Sequence, residues 1–366
     1  MKILIVKLSA IGDVIHTLPA LNAVRKQYPD AHITWLVEEA AYSVIKGHKA
    51  LDRIIVSKRK TWLKGLAGHS CLKNIREACG FIKELRDTQY DLILDFQALL
   101  KSGVLIGMAR GGRKIGFDKG MEHQEHSYIF LNERVPPVDM EIHALTRGML
   151  LLEAIGISSS EVEYNIYISD KDRDAANDLL MKHGIKAPEF LVAINPMAKW
   201  ETKLWDNLKF SNLADRLIKQ ANADVIFTGS HEDSEAIEHI ISNMKTRAAN
   251  LAGRTDLKTL AALYEKTSIV VSTDTGPMHL AAAIGTPVVA LFGPTAPWRT
   301  GPFGPGHKII RADLECSPCF KRQCKTIKCM KQISLDQVFD AAMSAILLPQ
   351  RPRRTQRERS NLQTKY

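Results

Sequence analysis

The sequence predicts an α/β protein of two doubly wound, Rossmann-like domains facing a cleft. Three observations carry this. Apolar runs of strand length recur along the chain without in–out alternation, as parallel strands buried on both faces do. Each is followed by a short polar turn and a stretch of helical period. The pattern runs through the first half and restarts near residue 166, in a chain of 366 residues that is easier to house in two cores than in one.

In the first half, "KILIVKL" leads to Val14, Leu18, Leu21 and Val24 on one helical face, and "HITWLVE" and "YDLILDF" are further buried strands. Pro19 puts the proper start of the first helix near Leu18. In the second half "FLVAINP", "ADVIFTG", "SIVVSTD" and "TPVVALFG" are separated by the helical segments "LKFSNLADRLIKQ" and "LKTLAALYEK". The join falls between residues 165 and 187, where "SDKDRDAANDLLMKHGIKAPE" supplies a linking helix. This divides the chain into 1–170, 171–348 and a basic tail, 349–366, with too few apolar residues to order itself. Ligands of such sheets bind beyond the carboxyl ends of the strands, which puts the site between the domains.

The composition, 45% hydrophobic, is that of an ordinary soluble protein. No apolar run reaches the roughly 18 to 20 residues that span a bilayer, and the first residues lack the order of segments in a signal peptide, so a cytoplasmic location is expected. A net charge of +10 favours an anionic partner: nucleic acid, a nucleotide, an acidic glycolipid or a membrane face. With 7% aromatic residues and no stacking platform or recognition helix in view, a nucleic-acid-binding protein is the weaker reading.

Three turns at predicted strand ends carry the chemistry. In "KLSAIGDVIH", Ser9 and Gly12 precede free helix-start amides, a general anion seat. Asp13 repels a phosphate there, so it either caps the helix or takes a proton from something bound beside it. His16, one turn on, has a surface or packing role and not a catalytic one. In "STDTGPMHLAAAIGTPVVALFGPT", Asp274, Thr275 and Gly276 lie between a strand end and a helix start with Pro277 near its first position, and His279 is on the first turn; this suits a diphosphate, or is a plain cap and turn. In "INPMAKWETKLWD", Lys199 and Lys203 flank Trp200 and Glu201 as phosphate clamps or as solvated lysines. No Asp-x-Asp pair stands at a strand end in the second half.

Taken in order, "KLSAIGDVIHTLPAL", "WLVEE", "LILDFQALLKSG", "GRKIGFD", the "INP" block and "STDTGPMHLAAAIGTPVVALFGPT" resemble the signature segments of glycosyltransferase family 9, the lipopolysaccharide heptosyltransferases, from residue 1 to about 345. The resemblance implies a GT-B fold, an acceptor held by the first domain, ADP-heptose held by the second, and an inverting transfer needing neither metal nor cofactor. It implies Asp13 as the general base, Lys203 on the donor phosphates, and Asp274, Thr275, Gly276 and His279 around the diphosphate and sugar. One of Glu232 and Asp233 would hold the ribose. The implied acceptor is Kdo-lipid A or the inner core of lipopolysaccharide, met by Ser9 and Gly12, by Lys58, Arg59, Lys60 and Lys64 of "SKRKTWLK", and by His143, with the enzyme resting on the cytoplasmic face of the inner membrane and no nucleic acid involved. A family member with another nucleotide sugar or acceptor, in the manner of heptosyltransferase II, is the alternative.

Two departures stand out. Met197, Ala198 and Lys199 occupy the place where family members carry threonines before the phosphate lysine, which shifts phosphate contacts towards Lys199. The run "CSPCFKRQCKTIKC" holds Cys316, Cys319, Cys324 and Cys329, expected to lie outside the site as reduced thiols, a structural metal site and reversible disulfides being the alternatives.

Overall fold

Two six-stranded parallel sheets organise the computed structural model, which describes residues 1–64, 71–121 and 125–347; the tail expected at 349–366 lies outside these residues. The first sheet holds β1 (Lys2–Val6), β2 (His32–Glu38), β3 (Arg53–Ser57), β4 (Gln89–Asp95), β5 (Arg110–Phe117) and β6 (Glu133–Val135), in the order β3-β2-β1-β4-β5-β6. Between and after them run α1 (Ile11–Gln27), α2 (Glu39–Ile45), α3 (Arg59–Lys64), α4 (Cys71–Arg86), α5 (Leu100–Met108) and α6 (Ala144–Glu153). Helix α7 (Asp170–Lys182) leads to the second sheet.

That sheet holds β7 (Phe190–Asn195), β8 (Ala223–Phe227), β9 (Ala249–Asn250), β10 (Ile269–Thr273), β11 (Val288–Phe292) and β12 (Lys308–Arg311), in the order β12-β11-β10-β7-β8-β9. Its helices are α8 (Asn207–Ala221), α9 (Ser234–Ser242), α10 (Leu257–Lys266), α11 (Gly276–Ala283), α12 (Pro297–Thr300), α13 (Lys328–Lys331) and α14 (Leu335–Leu347). The second sheet repeats the first. In each, the opening strand lies between the second and the fourth, so the chain reverses direction across the sheet at β1/β4 and at β7/β10. A crevice opens beyond the strand ends at such points. Val6 pairs with both Leu36 and Asp95, and Asn195 with Ser272, so the turns after these strands leave each sheet at one level.

Alternation along the strands separates two layers in the first domain. Ile3, Ile5, Trp35 and Leu94 pack with α1, α2 and α6, whereas Leu4, Val6, Ile55 and Ile93 pack beneath α4 and α5. The first of these clusters continues through α7, α10 and α11, so the domains share apolar packing across their seam. Lys258 of α10 is buried there and donates to the carbonyl of Tyr167 at 2.5 Å.

Helix α1 corrects the expectation drawn from Pro19. It begins at Ile11 and carries Pro19 in its interior. The missing N–H and the ring clash cost about 3 kcal/mol. Val14, Ile15, Leu18, Leu21 and Val24 are all at most 1% exposed, and each buried side chain contributes roughly 1.5–3 kcal/mol, which outweighs the defect. Among the described residues no helix is long and apolar enough to cross a membrane.

Candidate active site at the interdomain cleft

Beyond β1 the chain turns through Lys7–Ala10 into α1. Gln97, just past β4, clamps this turn: its Oε1 accepts from the amides of Leu8 at 2.9 Å and Ser9 at 3.0 Å. Gln97 is itself held by the buried Asp95, which accepts from the amides of Gln97 and Ala98 at 3.0 and 3.1 Å. Asp13 is not the N-cap, which is Ala10; it stands one turn in, where its Oδ2 accepts from the Ala10 amide at 2.9 Å. Capping and proton chemistry are therefore compatible, since a carboxylate near the first turn is also favoured by the helix dipole. Lys7 donates to the Phe96 carbonyl at 2.9 Å; burial lowers its pKa, and the carboxylates of Asp13 and Asp95 oppose that.

At the end of β2, the buried Glu38 gathers three cations: Lys60 and Lys101 at 3.3 Å and Arg59 at 3.4 Å. Burial pushes Glu38 up, but Lys101 and Lys60 outweigh it and hold the carboxyl below its usual range. Lys101 also donates to Ser9 Oγ at 2.5 Å, tying this pocket to the α1 turn. One carboxylate among three cations leaves the pocket positive. Lys58 and Lys64 are exposed and do not join it. Trp62, which lies among the basic residues of the sequence motif, turns away: its Nε1 donates to Glu77 at 3.2 Å and its ring packs on Phe81.

In the second domain, Lys203 reaches from the turn after β7 to the turn after β10 and meets Asp274 Oδ2 at 2.6 Å. The same oxygen accepts from Thr295 Oγ1 at 2.6 Å. Asp274 thus holds the lysine in place. Thr275 is the N-cap residue of α11, yet its hydroxyl makes no cap bond and is buried without a partner among the described residues. Gly276 follows as the first helical residue. Lys199 is exposed. Of the acidic pair, Asp233 Oδ2 is taken by the amide and hydroxyl of Ser230, both at 2.7 Å, whereas Glu232 is exposed.

The two helix starts meet across the seam. A Cβ on Gly12 would lie 2.4 Å from Cδ2 of His279, and one on Gly276 would lie 3.2 Å from the Ile11 side chain. Gly12 therefore makes room for His279. His16 of α1 stands between the two other histidines, with ring centroids 4.6 Å from His279 and 4.9 Å from His143. His143 accepts from the Leu145 amide at Nδ1, 3.2 Å, which leaves Nε2 to donate to the Gly301 carbonyl of the second domain at 3.1 Å. Both its nitrogens are engaged, and His143 bridges the domains here. Burial holds His16 well below the usual histidine range, His279 at about 4 and His143 also lowered, so all three are neutral at pH 7. Neither ring nitrogen of His16 has a hydrogen-bond partner among the described residues.

The cysteine segment is nearer this site than its sequence suggested. Thr202 Oγ1 donates to the Lys321 carbonyl at 2.9 Å, and Arg322 lies 5.0 Å from the Trp200 ring, whose centroid is 4.6 Å from Lys203 Nζ. The Cys319 amide donates to the Pro294 carbonyl at 3.0 Å. Cys316 and Cys324 are exposed, Cys319 and Cys329 half-buried, and none is in a disulfide. Among the described residues no group of three or more His, Cys, Asp or Glu side chains is arranged to hold a metal ion.

Sequence reasoning singled out Asp13, Lys203 and the Asp274–Gly276 turn, which the fold brings to one cleft. It missed Gln97, Lys101 and Glu38, which lie in the segments "WLVEE" and "LILDFQALLKSG" that it had noted without giving these residues a role.

Comparison with known proteins agrees with this architecture. The family described as glycosyltransferase family 9 (heptosyltransferase) matches residues 79–330. Lipopolysaccharide heptosyltransferase 1 of Pseudomonas aeruginosa is 31% identical over 324 residues, which span 88% of this chain and 87% of that one. The solved structure of E. coli heptosyltransferase WaaC with ADP matches with a TM-score of 0.76 at 25% identity, covering 94% of this chain and 100% of the other. A family 9 glycosyl transferase from Veillonella parvula matches in fold with a TM-score of 0.80 at 24% identity, covering 95% and 98% of the two chains. With the family match spanning well over half the sequence and a relative above 30% identity along most of it, the chain belongs to glycosyltransferase family 9.

Proposed function

We propose that the enzyme transfers a heptose from ADP-heptose to the Kdo region of a lipopolysaccharide inner-core acceptor, at the cytoplasmic face of the inner membrane, in one inverting displacement. The observation that carries this reading is the opposition of two helix starts across the cleft, α1 with Asp13 and α11 with Thr275 and Lys203. The relatives are heptosyltransferases, and a solved one was captured with ADP.

In the proposed reaction the acceptor hydroxyl attacks the anomeric carbon as Asp13 takes its proton, and the bond from that carbon to the ADP oxygen breaks with its electron pair passing to the diphosphate. Lys203, the α11 amides and the Thr275 hydroxyl stabilise the charge that gathers there. Asp274 positions Lys203 through its Oδ2 at 2.6 Å and its carbonyl at 3.3 Å, which leaves one of the ammonium's three donors for phosphate, while Thr295 shares the same carboxylate oxygen. His279, neutral between Asp13 and Asp274, offers hydrogen bonds and not charge to the sugar. Glu232 holds the ribose, since Asp233 is spent on Ser230. On the acceptor side, the positive pocket of Lys101, Arg59 and Lys60 receives an anionic sugar, with Glu38 and Ser9 fixing Lys101.

The test is a transfer assay with ADP-heptose and Kdo-lipid A, read by mass spectrometry. The expected product is the acceptor plus one heptose. Turnover of a different nucleotide sugar, with ADP-heptose left intact, would overturn the donor assignment.

A further inference from the structure

The layer of α3, α4 and α5 buries one side on the first sheet and leaves an unusual outer side. Leu63 of α3, Leu72 and Ile75 of α4, and Leu100 and Val104 of α5 are 55%, 84%, 45%, 45% and 42% exposed. Their placement is not scattered. Helices joining parallel strands run antiparallel to them, so the first turns of α4 and α5 lie at the carboxyl edge of the sheet. That is the edge at which Glu38 collects Lys101, Arg59 and Lys60. The five apolar side chains therefore stand on helices that start at the same edge of the domain as the positive pocket.

Cations stand among them: Lys60, Lys64, Lys73 and Arg76 are all exposed. The acids nearby are engaged, Glu39 by the Thr61 hydroxyl, Glu77 by Trp62 and Glu125 by the Leu100 amide. The outward stripe of α4 continues as Arg76, Cys79, Lys83 and Arg86, with no acidic residue. This layer also lies on the opposite side of the sheet from α1 and α6, which face the second domain, so a partner held here leaves the cleft free.

We propose that this face docks on a lipid bilayer with anionic headgroups, the apolar side chains entering the headgroup boundary and the cations lying on the phosphates. The proposal rests on reading the adjacent pocket as the acceptor site. A lipid-linked acceptor presents its sugar at the leaflet surface, and a pocket that receives it must bring its own edge of the domain to that surface. Charge complementarity selects the occupant, since an acid-free stripe of exposed aliphatic and basic side chains matches an anionic interface.

The experiment is vesicle flotation of the full chain, without donor or acceptor, on phosphatidylcholine vesicles with and without phosphatidylglycerol. The parent should float with the anionic vesicles and stay behind with the neutral ones. Leu72→Glu combined with Ile75→Glu, both at exposed positions, should lower the bound fraction by about tenfold or more, because two anchors are lost and two like charges added. Met181→Glu, on the exposed side of α7, should bind as the parent does. The double variant should melt within a few degrees of the parent, since both positions are exposed. A parent that ignores anionic vesicles, or a double variant that binds like the parent, overturns the docking surface even if heptose transfer is observed. Loss of flotation confined to the double variant supports it even if the acceptor sugar is another one.

Discussion

Changing Gly12 to Ala tests whether the two helix starts must touch for the enzyme to work. The new methyl would be placed 2.4 Å from Cδ2 and 2.8 Å from Nε2 of His279. An ordinary contact needs 3.4–4 Å, so the ring must retreat by about 1 Å or more, or the domains must part. His279 is 7% exposed and packed against His16, which leaves little room for retreat. Overpacking of this kind costs about 1–3 kcal/mol. If that strain is relieved by opening the seam, the competent arrangement becomes rarer and kcat/KM falls by roughly 5- to 150-fold. The assay is a double-mutant cycle on kcat/KM and melting temperature with Gly12→Ala, His279→Ala and the pair. Removing the ring relieves the clash, so the pair should be less damaged than the sum of the singles, with a coupling of about 1–3 kcal/mol. Additive effects, or a Gly12→Ala enzyme equal to the parent, would refute the contact.

Four further outcomes are expected. Asp13→Asn keeps an oxygen for the Ala10 amide and so should melt within a few degrees of the parent, while kcat falls by about 10² to 10⁴; a variant that turns over normally leaves Asp13 as a cap alone. Lys203→Ala should raise the donor KM or lower kcat by roughly ten- to a hundredfold, the worth of a charge-assisted contact of about 1.5–3 kcal/mol, with acceptor KM unchanged. Transfer should survive EDTA, as Lys203 and the α11 amides carry the leaving charge; loss in chelator with rescue by magnesium would contradict this. For pH, the lowered pKa values of His16, His143 and His279 mean that the unfolded chain takes up protons first, so stability is full above about pH 6.5 and falls as pH drops towards 4. His279 alone accounts for about 3 kcal/mol across that window, and melts of His279→Gln should show a shallower decline than the parent; His16 and His143, with His48 and His307 at about 4, keep the remaining slope.

The strands that were legible in the sequence are those with both faces covered. β1, β2, β7, β10 and β11 are buried along most of their length and read as apolar runs, and β4 and β8 keep the apolar cores "LIL" and "VIF". β5 carries "RGGRKIGF" with its first half largely open to solvent, β12 is a half-exposed "KIIR", and β9 is Ala249–Asn250 alone, so neither periodicity nor composition marks them. The same division holds at the site. Asp13 and the Asp274 turn follow a buried strand directly and open a helix, a pattern visible along the chain. Glu38, Gln97 and Lys101 converge with Ser9 only because β2 and β4 flank β1, a fact of strand order that no local window holds. Pro19 misled because local propensity was set against burial that the sequence could not weigh.

Charge is handled in the same way in both halves, and this has consequences for how the site meets its ligands. Each crevice sets a buried carboxylate behind its cations: Glu38 behind Lys101, Arg59 and Lys60, and Asp274 behind Lys203. Such a carboxylate orders long, flexible side chains before anything binds, so less rotamer entropy remains to be lost when an anion arrives. It also weakens their charge, and the fold offsets that differently on the two sides. In the first domain the cations outnumber the carboxylate. In the second the ratio is one to one, but Thr295 donates to the same oxygen and the amides of α11 add positive potential at the point where a leaving diphosphate would gather charge. Between the two positive crevices stands Asp13, in the first turn of α1 with its Oδ2 on the Ala10 amide. On the proposed reading the two sets of cations receive two anionic substrates on either side of this carboxylate, and it takes the proton lost as one attacks the other.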